Sequence, residues 1–521
     1  SQQYAKDRLS NKWLRTKSCL EGYWFKDVSS RPNSTRPGSL RLREFTDCGR
    51  PHRLRGKKTS TLRAIKSGYP RFVRHQRITD LIDALNDQDN DQEKEGFLFN
   101  KKSDCDFALN LLTLNDACVD EIDGLVRLQI PRDSQDAQSL QAFFQHSGCG
   151  VSSRLAEDLL FQKGLIAHRE SLTEKDSPYE EITQTIAEAH GPNIKREDVL
   201  LTSSGANAFY SLFREASRQA REEKRGIWVQ LGWLYIDTIE LMELLTSKDE
   251  TVLTLHSPQD FSKLEKLFRE HGSQIAGVVT EFPTNPLLQC CDLEKVRGLC
   301  NEYDSLLVVD PTMVSPKNAK VSNHADVVVN SLTKYASWEG DVMMGSLVFP
   351  ASSSKGRTLM ERVAQIRTPP FRRDLLRMAD QIPFYLSFIE KTNATLMRVA
   401  QFLSGHEKIK ALHWAYQPSN GTLFESIAGD GSPGCVLSFE TTGDFETFYN
   451  HLRMLKSPSF GTEFTLCCPY VYLAHYDLTK TKDGLSKLSE AGISPHLCRL
   501  SVGLESADEI IQTIEESLKI L

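Results

Sequence analysis

Ala276-Gly277-Val278-Val279-Thr280-Glu281-Phe282-Pro283-Thr284-Asn285-Pro286 is the stretch from which the architecture can be read. Its first half is a short apolar run closed by a carboxylate, the profile of a strand buried on both faces. The Pro-Thr-Asn-Pro that follows is a turn, because each proline fixes φ and removes a backbone donor. Asp292 then stands where a helix N-cap belongs, and Leu293, Val296, Leu299, Cys300 and Tyr303 fall on one helical face. The chain re-enters an apolar run at Ser305–Asp310. Strand, turn, capped helix and strand make one unit of an α/β domain with a largely parallel sheet.

The same rhythm extends to either side. Between helical stretches lie short β-branched runs at Gly226–Leu231, Thr251–Leu255, Val327–Asn330 and Val342–Phe349. Glu281, Asp310 and Ser331 each close a strand, and in open α/β sheets ligands gather at the carboxyl ends of strands. Residues 377–404 read as a long helical stretch. A smaller α+β unit follows, ending in a strand Cys498–Val502 and an acidic helix Ala507–Leu521. Upstream, residues 59–150 read as helical pattern and polar loops, with a short amphipathic helix at Ile78–Leu85 and a solvated loop over Asn86–Glu95. The expected organisation is a basic segment 1–58, an extension 59–150, a large domain 151–392 and a small domain 393–521.

Composition narrows the function classes. Residues 1–58 hold 15 Lys/Arg against 5 Asp/Glu, so that segment carries +10 and the rest of the chain −16 within a net charge of −6. The basic segment lacks the aromatic interleaving of a nucleic-acid surface and the apolar core of a secretory leader, so it reads as a solvated tail. No apolar run approaches the ~18 residues of a membrane helix. The twelve cysteines include the adjacent pairs Cys290–Cys291 and Cys467–Cys468 but no CxxC, which fits neither a disulfide framework nor a zinc site. Scattered thiols point to a reducing compartment, the cytoplasm, and no metal is expected.

Four segments carry chemistry. Asn330-Ser331-Leu332-Thr333-Lys334 follows a buried strand directly, which puts the Lys334 amine in a partly desolvated cleft suited to Schiff-base formation. Ser331 and Thr333 supply hydroxyls beside it. Asp310 can hold a ring nitrogen protonated, or can merely cap a turn. Thr202-Ser203-Ser204-Gly205-Ala206-Asn207-Ala208 opens a helix whose backbone N–H groups can receive a phosphate, or is an ordinary N-cap. Arg499 is the one charge on an otherwise apolar strand and suits a substrate carboxylate, or a structural ion pair.

In order and spacing these segments resemble the Cys/Met-metabolism family of pyridoxal 5′-phosphate (PLP) enzymes. The matching pieces are Ser204-Gly205, Tyr235-x-x-Thr238, Glu281 to Pro286, Asp310-Pro311-Thr312, Ser331-Leu332-Thr333-Lys334 and Arg499-Leu500-Ser501-Val502-Gly503-Leu504-Glu505. Gly68-Tyr69-Pro70-Arg71-Phe72-Val73, Val151-Ser152-Ser153-Arg154 and Ser459-Phe460-Gly461-Thr462 are similar to the long, fungal-type cystathionine γ-synthase branch. Three departures stand out: Ser152 where the family usually has Tyr, Asp-Pro-Thr where it has Asp-Asn-Thr, and a basic, Gly/Arg-rich Cys48–Lys58 where the long branch has a Val-, Ser-, Leu- and Pro-rich stretch.

The resemblance implies the fold-type I architecture, a large mixed or parallel-sheet cofactor domain plus a small C-terminal α/β domain. It implies that Lys334 carries PLP and moves protons, and that Ser204, Gly205, Ala206, Ser331 and Thr333 bind the phosphate. Tyr235 would stack on the ring and assist proton transfer. Asp310 would pair with the ring nitrogen, with Thr312 beside it. Asn285 would bond the ring hydroxyl or the substrate carboxylate, Arg499 would bind that carboxylate, with Thr465 in the same subsite, and Arg154 would reach a neighbouring subunit's phosphate. The activity implied is γ-replacement on an O-acyl-homoserine by cysteine or a related thiol, in a homodimer or homotetramer acting on small amino acids. The alternatives are a C–S lyase, a carbon-nucleophile γ-substitution enzyme, or a degenerate paralogue with a regulatory role.

Overall fold

The computed structural model describes residues 74–87, 93–114, 116–428 and 431–521. The basic segment 1–58 and the Gly68–Val73 motif lie outside the described residues. The chain divides into two compact units. One comprises the described residues up to Lys175 with Thr368–Arg377, and the other Asp176–Arg367 with Met378–Leu521.

The first unit is built on a sheet that the polar texture of its sequence conceals. Strands β1 (Lys94–Phe99), β2 (Cys118–Ile122) and β3 (Leu125–Pro131) pair antiparallel in the order β1-β3-β2. The amphipathic helix is present as Gln76–Asp87, and it lays Leu81, Ile82 and Leu85 into a core with Leu98, Leu125 and Leu160. The expected loop over Asn86–Glu95 is shorter than expected, because Asn86 and Asp87 finish that helix and Lys94 and Glu95 begin β1.

The second unit holds a seven-stranded mixed sheet: β4 (Val199–Thr202), β5 (Ile227–Leu231), β6 (Thr251–Leu255), β7 (Ile275–Glu281), β8 (Leu306–Asp310), β9 (Val327–Ser331) and β10 (Gly345–Val348). The order is β4-β10-β9-β8-β7-β5-β6. All neighbours are parallel except that β10 runs antiparallel to both β9 and β4. β5, β7 and β10 are buried along their whole length, as the apolar runs require. Asp292 caps the helix Leu293–Glu302 by accepting from the Lys295 N–H at 3.1 Å. The long helical stretch is interrupted by a 3₁₀ turn at Ile382–Phe384 and resumes as Tyr385–Ser404. A five-stranded sheet follows, of β11 (Ile409–His413), β12 (Val436–Thr441), β13 (Leu455–Lys456), β14 (Leu466–Pro469) and β15 (Cys498–Ser501), ordered β11-β12-β15-β14-β13. Among the described residues no helix is long and apolar enough to cross a membrane.

Candidate active site

The parallel run β7–β8–β9 delivers three polar residues to one edge of the sheet. Glu281 and Asp310 are register partners at the ends of β7 and β8, and Ser331 ends β9. Asp310 accepts from the Thr312 N–H at 2.8 Å, and the Thr312 hydroxyl accepts from the Ser331 N–H at 2.9 Å. Pro311 is thus accommodated because the donor that Asp310 needs comes from the residue after it.

Ser204 caps the helix Gly205–Glu222, its hydroxyl accepting from the Asn207 N–H at 3.0 Å. This helix start lies directly against Ser331: a Cβ built on Gly205 would stand 2.8 Å from Ser331 Cβ, so only glycine lets the two segments meet. Ser204, Gly205, Ala206 and Ser331 are all partly exposed. The Thr333 hydroxyl bridges the Met344 backbone, accepting from its N–H at 3.1 Å and donating to its carbonyl at 3.3 Å.

Lys334 is buried, and its Nζ donates to Ser459 Oγ at 3.1 Å and sits 5.2 Å from the Phe460 ring centroid. Ser459 has φ +81°, a left-handed conformation that costs an L-residue about 1 kcal/mol. The cost secures a double contact, because the Ser459 carbonyl also accepts from Arg499 Nη2 at 3.2 Å. Arg499 Nη1 donates to Asn285 Oδ1 at 2.9 Å, and the guanidinium lies 5.4 Å from the Phe460 centroid and 5.3 Å from that of Tyr470. Glu281 ties this side to the turn after β5, accepting from the Tyr235 N–H at 2.5 Å and the Asn285 N–H at 2.9 Å. Contacts therefore run in a closed circuit from Gly205 through Ser331, Thr312, Asp310, Glu281, Asn285, Arg499 and Ser459 to Lys334, whose own N–H returns to the Ser331 carbonyl at 3.4 Å.

Burial shifts both acids of the circuit toward their neutral forms. Burial, then the adjacent Asp310 carboxylate, pushes the Glu281 carboxyl well above the usual range, against the pull of two N–H groups and Arg499. Burial likewise pushes Asp310 up to about 6, with Thr312 opposing. The site is therefore short of positive charge at the sheet edge. A ligand with a basic ring nitrogen, an anionic phosphate and an aldehyde fits this donor set: Asp310 for the nitrogen, the Gly205 helix start with Ser331 for the phosphate, and Lys334 for the aldehyde.

Ser204, Ala206, Tyr235 and Thr333 flank the circuit in sequence or through a backbone contact, whereas Thr465 and Arg154 make side-chain bonds elsewhere. The Thr465 hydroxyl donates to Glu505 at 2.7 Å and accepts from the Gly503 N–H at 3.0 Å, latching two loops of the C-terminal sheet. Arg154 belongs to the first unit, where it pairs with Glu170 at 2.6 Å and Asp374 at 3.4 Å. Ser152, in the place of the family's usual tyrosine, caps the helix Ser153–Gln162 through the Leu155 N–H at 3.2 Å. Sequence reasoning gave no role to Ser459, Phe460, Glu281 or Tyr470. Ser459 and Phe460 were visible only as part of a motif, and the one local signal, Gly461 at φ +75°, marks the turn rather than its function.

The family model for the Cys/Met metabolism PLP-dependent enzyme matches residues 180–519. The chain is 30% identical over 460 residues to an L-2-amino-4-chloropent-4-enoate dechlorinase/desaturase of Streptantibioticus cattleyicolor, covering 88% of this chain and 92% of that protein. It is 30% identical over 334 residues to a cystathionine gamma-synthase of Neurospora crassa, spanning 63% of this chain and only 53% of that relative's length. Among solved structures, a cystathione gamma lyase from Micromonospora echinospora superposes with a TM-score of 0.56 at 21% identity, covering 66% of this chain and 87% of that one. A cystathionine gamma synthase from Xanthomonas oryzae gives 0.56 at 22% identity, covering 66% and 86%.

Proposed function

Because the chain belongs to the Cys/Met metabolism PLP-dependent enzyme family, has its fold-type I architecture and uses PLP as cofactor, we propose that it catalyses γ-replacement on an O-acyl-homoserine with cysteine or a related thiol. The observation that carries this reading is the placement of Ser459, which bonds the Lys334 amine through its hydroxyl and the Arg499 guanidinium through its carbonyl. A carboxylate received by Arg499 and Asn285 sets the substrate's carbon chain beside Lys334 Nζ. Bound PLP supplies the electron sink that makes protons on the α- and β-carbons removable. Lys334 takes the α-proton and then serves the β- and γ-carbons from one position as the γ-acyloxy group leaves. Ser459 and the face of Phe460 hold Nζ on that path. Asp310 keeps the ring nitrogen protonated, Ser204, Gly205, Ala206, Ser331 and Thr333 hold the phosphate, Thr312 fixes Asp310, and Tyr235 covers the ring. Thr465 stiffens the loop that carries Ser459.

A homodimer or homotetramer completes the reading, with Arg154 serving a neighbouring subunit's phosphate. That use requires Arg154 to exchange a carboxylate partner. The described cysteines are free and nearly all buried, which supports a cytoplasmic setting.

One observation favours a second reading, γ-elimination or dehalogenation of an unsaturated amino acid: the dechlorinase/desaturase aligns over nearly its whole length, whereas the synthase of Neurospora aligns over about half. The two separate in one assay. Purified holoenzyme is given O-acetyl- or O-succinyl-homoserine with and without cysteine, and then a 4-chloro-unsaturated amino acid. Cystathionine formed only with cysteine supports replacement. Keto acid and ammonia formed with or without cysteine, or chloride release, supports elimination. Borohydride reduction followed by peptide mapping should label Lys334, and Lys334→Ala should abolish labelling and lower turnover by at least about 10³-fold.

A further inference from the structure

The circuit around Arg499 has a side branch that the proposed reaction leaves unused. Asn285 Nδ2 donates to Tyr470 Oη at 3.3 Å, Tyr470 Oη lies 3.4 Å from His475 Nε2, and Trp233 Nε1 lies 3.2 Å from the same nitrogen. All four side chains are buried. Donor counting gives a consistent set of polarities for these contacts. An indole N–H can only donate, so His475 Nε2 presents a lone pair and the ring is neutral with its proton on Nδ1. The Tyr470 hydroxyl, 3.4 Å away, shares that one lone pair with the indole as a second, weaker donor, and its oxygen accepts from Asn285. At the other end a guanidinium can only donate, so Asn285 turns Oδ1 to Arg499 and Nδ2 to Tyr470. The branch is bounded by two donor-only groups, Trp233 and Arg499, and His475 is the base that both halves need.

These residues come from separate segments. Trp233 follows β5, Asn285 follows β7, Tyr470 and His475 begin and follow the short helix Tyr470–Ala474, and Arg499 lies on β15. Leu287, Val471, Leu488 and Leu497 pack with Trp233 and Tyr470 in one apolar cluster, so a polar partner lost from the branch is costly.

We propose that Tyr470, His475 and Trp233 are positioning residues that lock the Asn285 amide, and through it the Arg499 guanidinium, in the orientation that receives the substrate carboxylate. The proposal rests on the reading of Arg499 as the carboxylate binder. The test uses holoenzyme and two unreactive ligands, L-norvaline and its decarboxylated counterpart n-butylamine, with binding followed by the absorbance of the bound cofactor. The readout is the preference for norvaline over butylamine. Arg499→Met removes that preference. Tyr470→Phe and His475→Ala lower it by about tenfold, the effect of stranding one buried N–H, with butylamine affinity unchanged. His475→Gln, whose side-chain carbonyl can accept both bonds, recovers to within about threefold of wild type. If Tyr470→Phe and His475→Ala keep the wild-type preference while Arg499→Met loses it, the proposal is overturned and the carboxylate reading stands. If Arg499→Met keeps the preference, both fall. Should His475→Ala fail to fold, Tyr470→Phe, which removes a single oxygen, decides the matter alone.

Discussion

Arg154 and Arg499 are almost equally buried, at 8% and 7% exposure, yet their surroundings are opposite. Arg154, in the first unit, is gripped by the carboxylates of Glu170 and Asp374. Arg499, in the second, makes no ion pair among the described residues. It rests on the neutral oxygens of Asn285 and Ser459, between two aromatic rings. Glu281, whose field reaches Arg499, is itself driven toward its neutral form by burial and by Asp310. Burying a cation without a counter-charge is costly, and an anion from outside would offset that cost, as the proposed role of Arg499 requires. Depth alone therefore says little about function; the charge balance of the neighbours says more.

The largest effect should come from removing the unneutralised charge. Arg499→Met is expected to lower kcat/KM by about 100-fold or more, nearly all of it in KM, in steady-state kinetics at saturating PLP. An unchanged KM would erase the distinction between the two arginines. The same change at Arg154 strikes stability instead: Arg154→Met strands two carboxylates and should cost about 3 kcal/mol in urea unfolding of the cofactor-free protein.

Asp310 is the mirror image of Arg499, an anion short of a cation, and its effect is smaller and depends on pH. Its folded pKa is raised from 3.8 to about 6, so between those values the folded state binds the extra proton and stability falls as pH rises. Asp310→Asn removes that slope. The variant's stability advantage in the cofactor-free protein should widen from about pH 4 to about pH 6 and level off above, which unfolding curves at several pH values would check. A constant gap would mean that Asp310 is already charged. The smallest effect concerns Arg154 again. If it serves a neighbouring subunit's phosphate, Glu170→Gln weakens its competitor and should tighten PLP binding about threefold in a fluorescence titration. Unchanged or weaker binding would leave Arg154 as a purely internal tie.

Where the sequence was legible, the reason was local. Strands β5, β7, β8 and β9 are buried runs bounded by turn residues, and the polar ends of the last three mark the sheet edge where Glu281, Asp310 and Ser331 gather. β4 went unread because four residues, Val-Leu-Leu-Thr, carry no period of their own. In the first unit, β2 is Cys-Val-Asp-Glu-Ile, half-exposed and acidic, and shows no alternation, whereas β3 alternates over Val126–Ile130 but buries its polar Arg127 and Gln129 as well. Lys334, Asp310, Asn285 and Arg499 could be singled out because each follows or sits on a recognisable strand. Ser459, Tyr470 and His475 could not, because their significance lies in partners 125 to 242 residues away, and no local pattern encodes such a meeting.

The reversed strand β10 has a consequence for the order of assembly. β4, which leads into the Ser204–Gly205 helix start, finds its only partner in the sheet in β10, about 140 residues later in the chain. During synthesis β4 must therefore stay unpaired for on the order of ten seconds. The helix start at Ser204–Gly205 gains its strand's partner only once Gly345–Val348 has left the ribosome, and Arg499 arrives later still. The sheet edge around Ser331 is thus completed late, and a nascent chain stalled before β10 would offer β4 unpaired to chaperones.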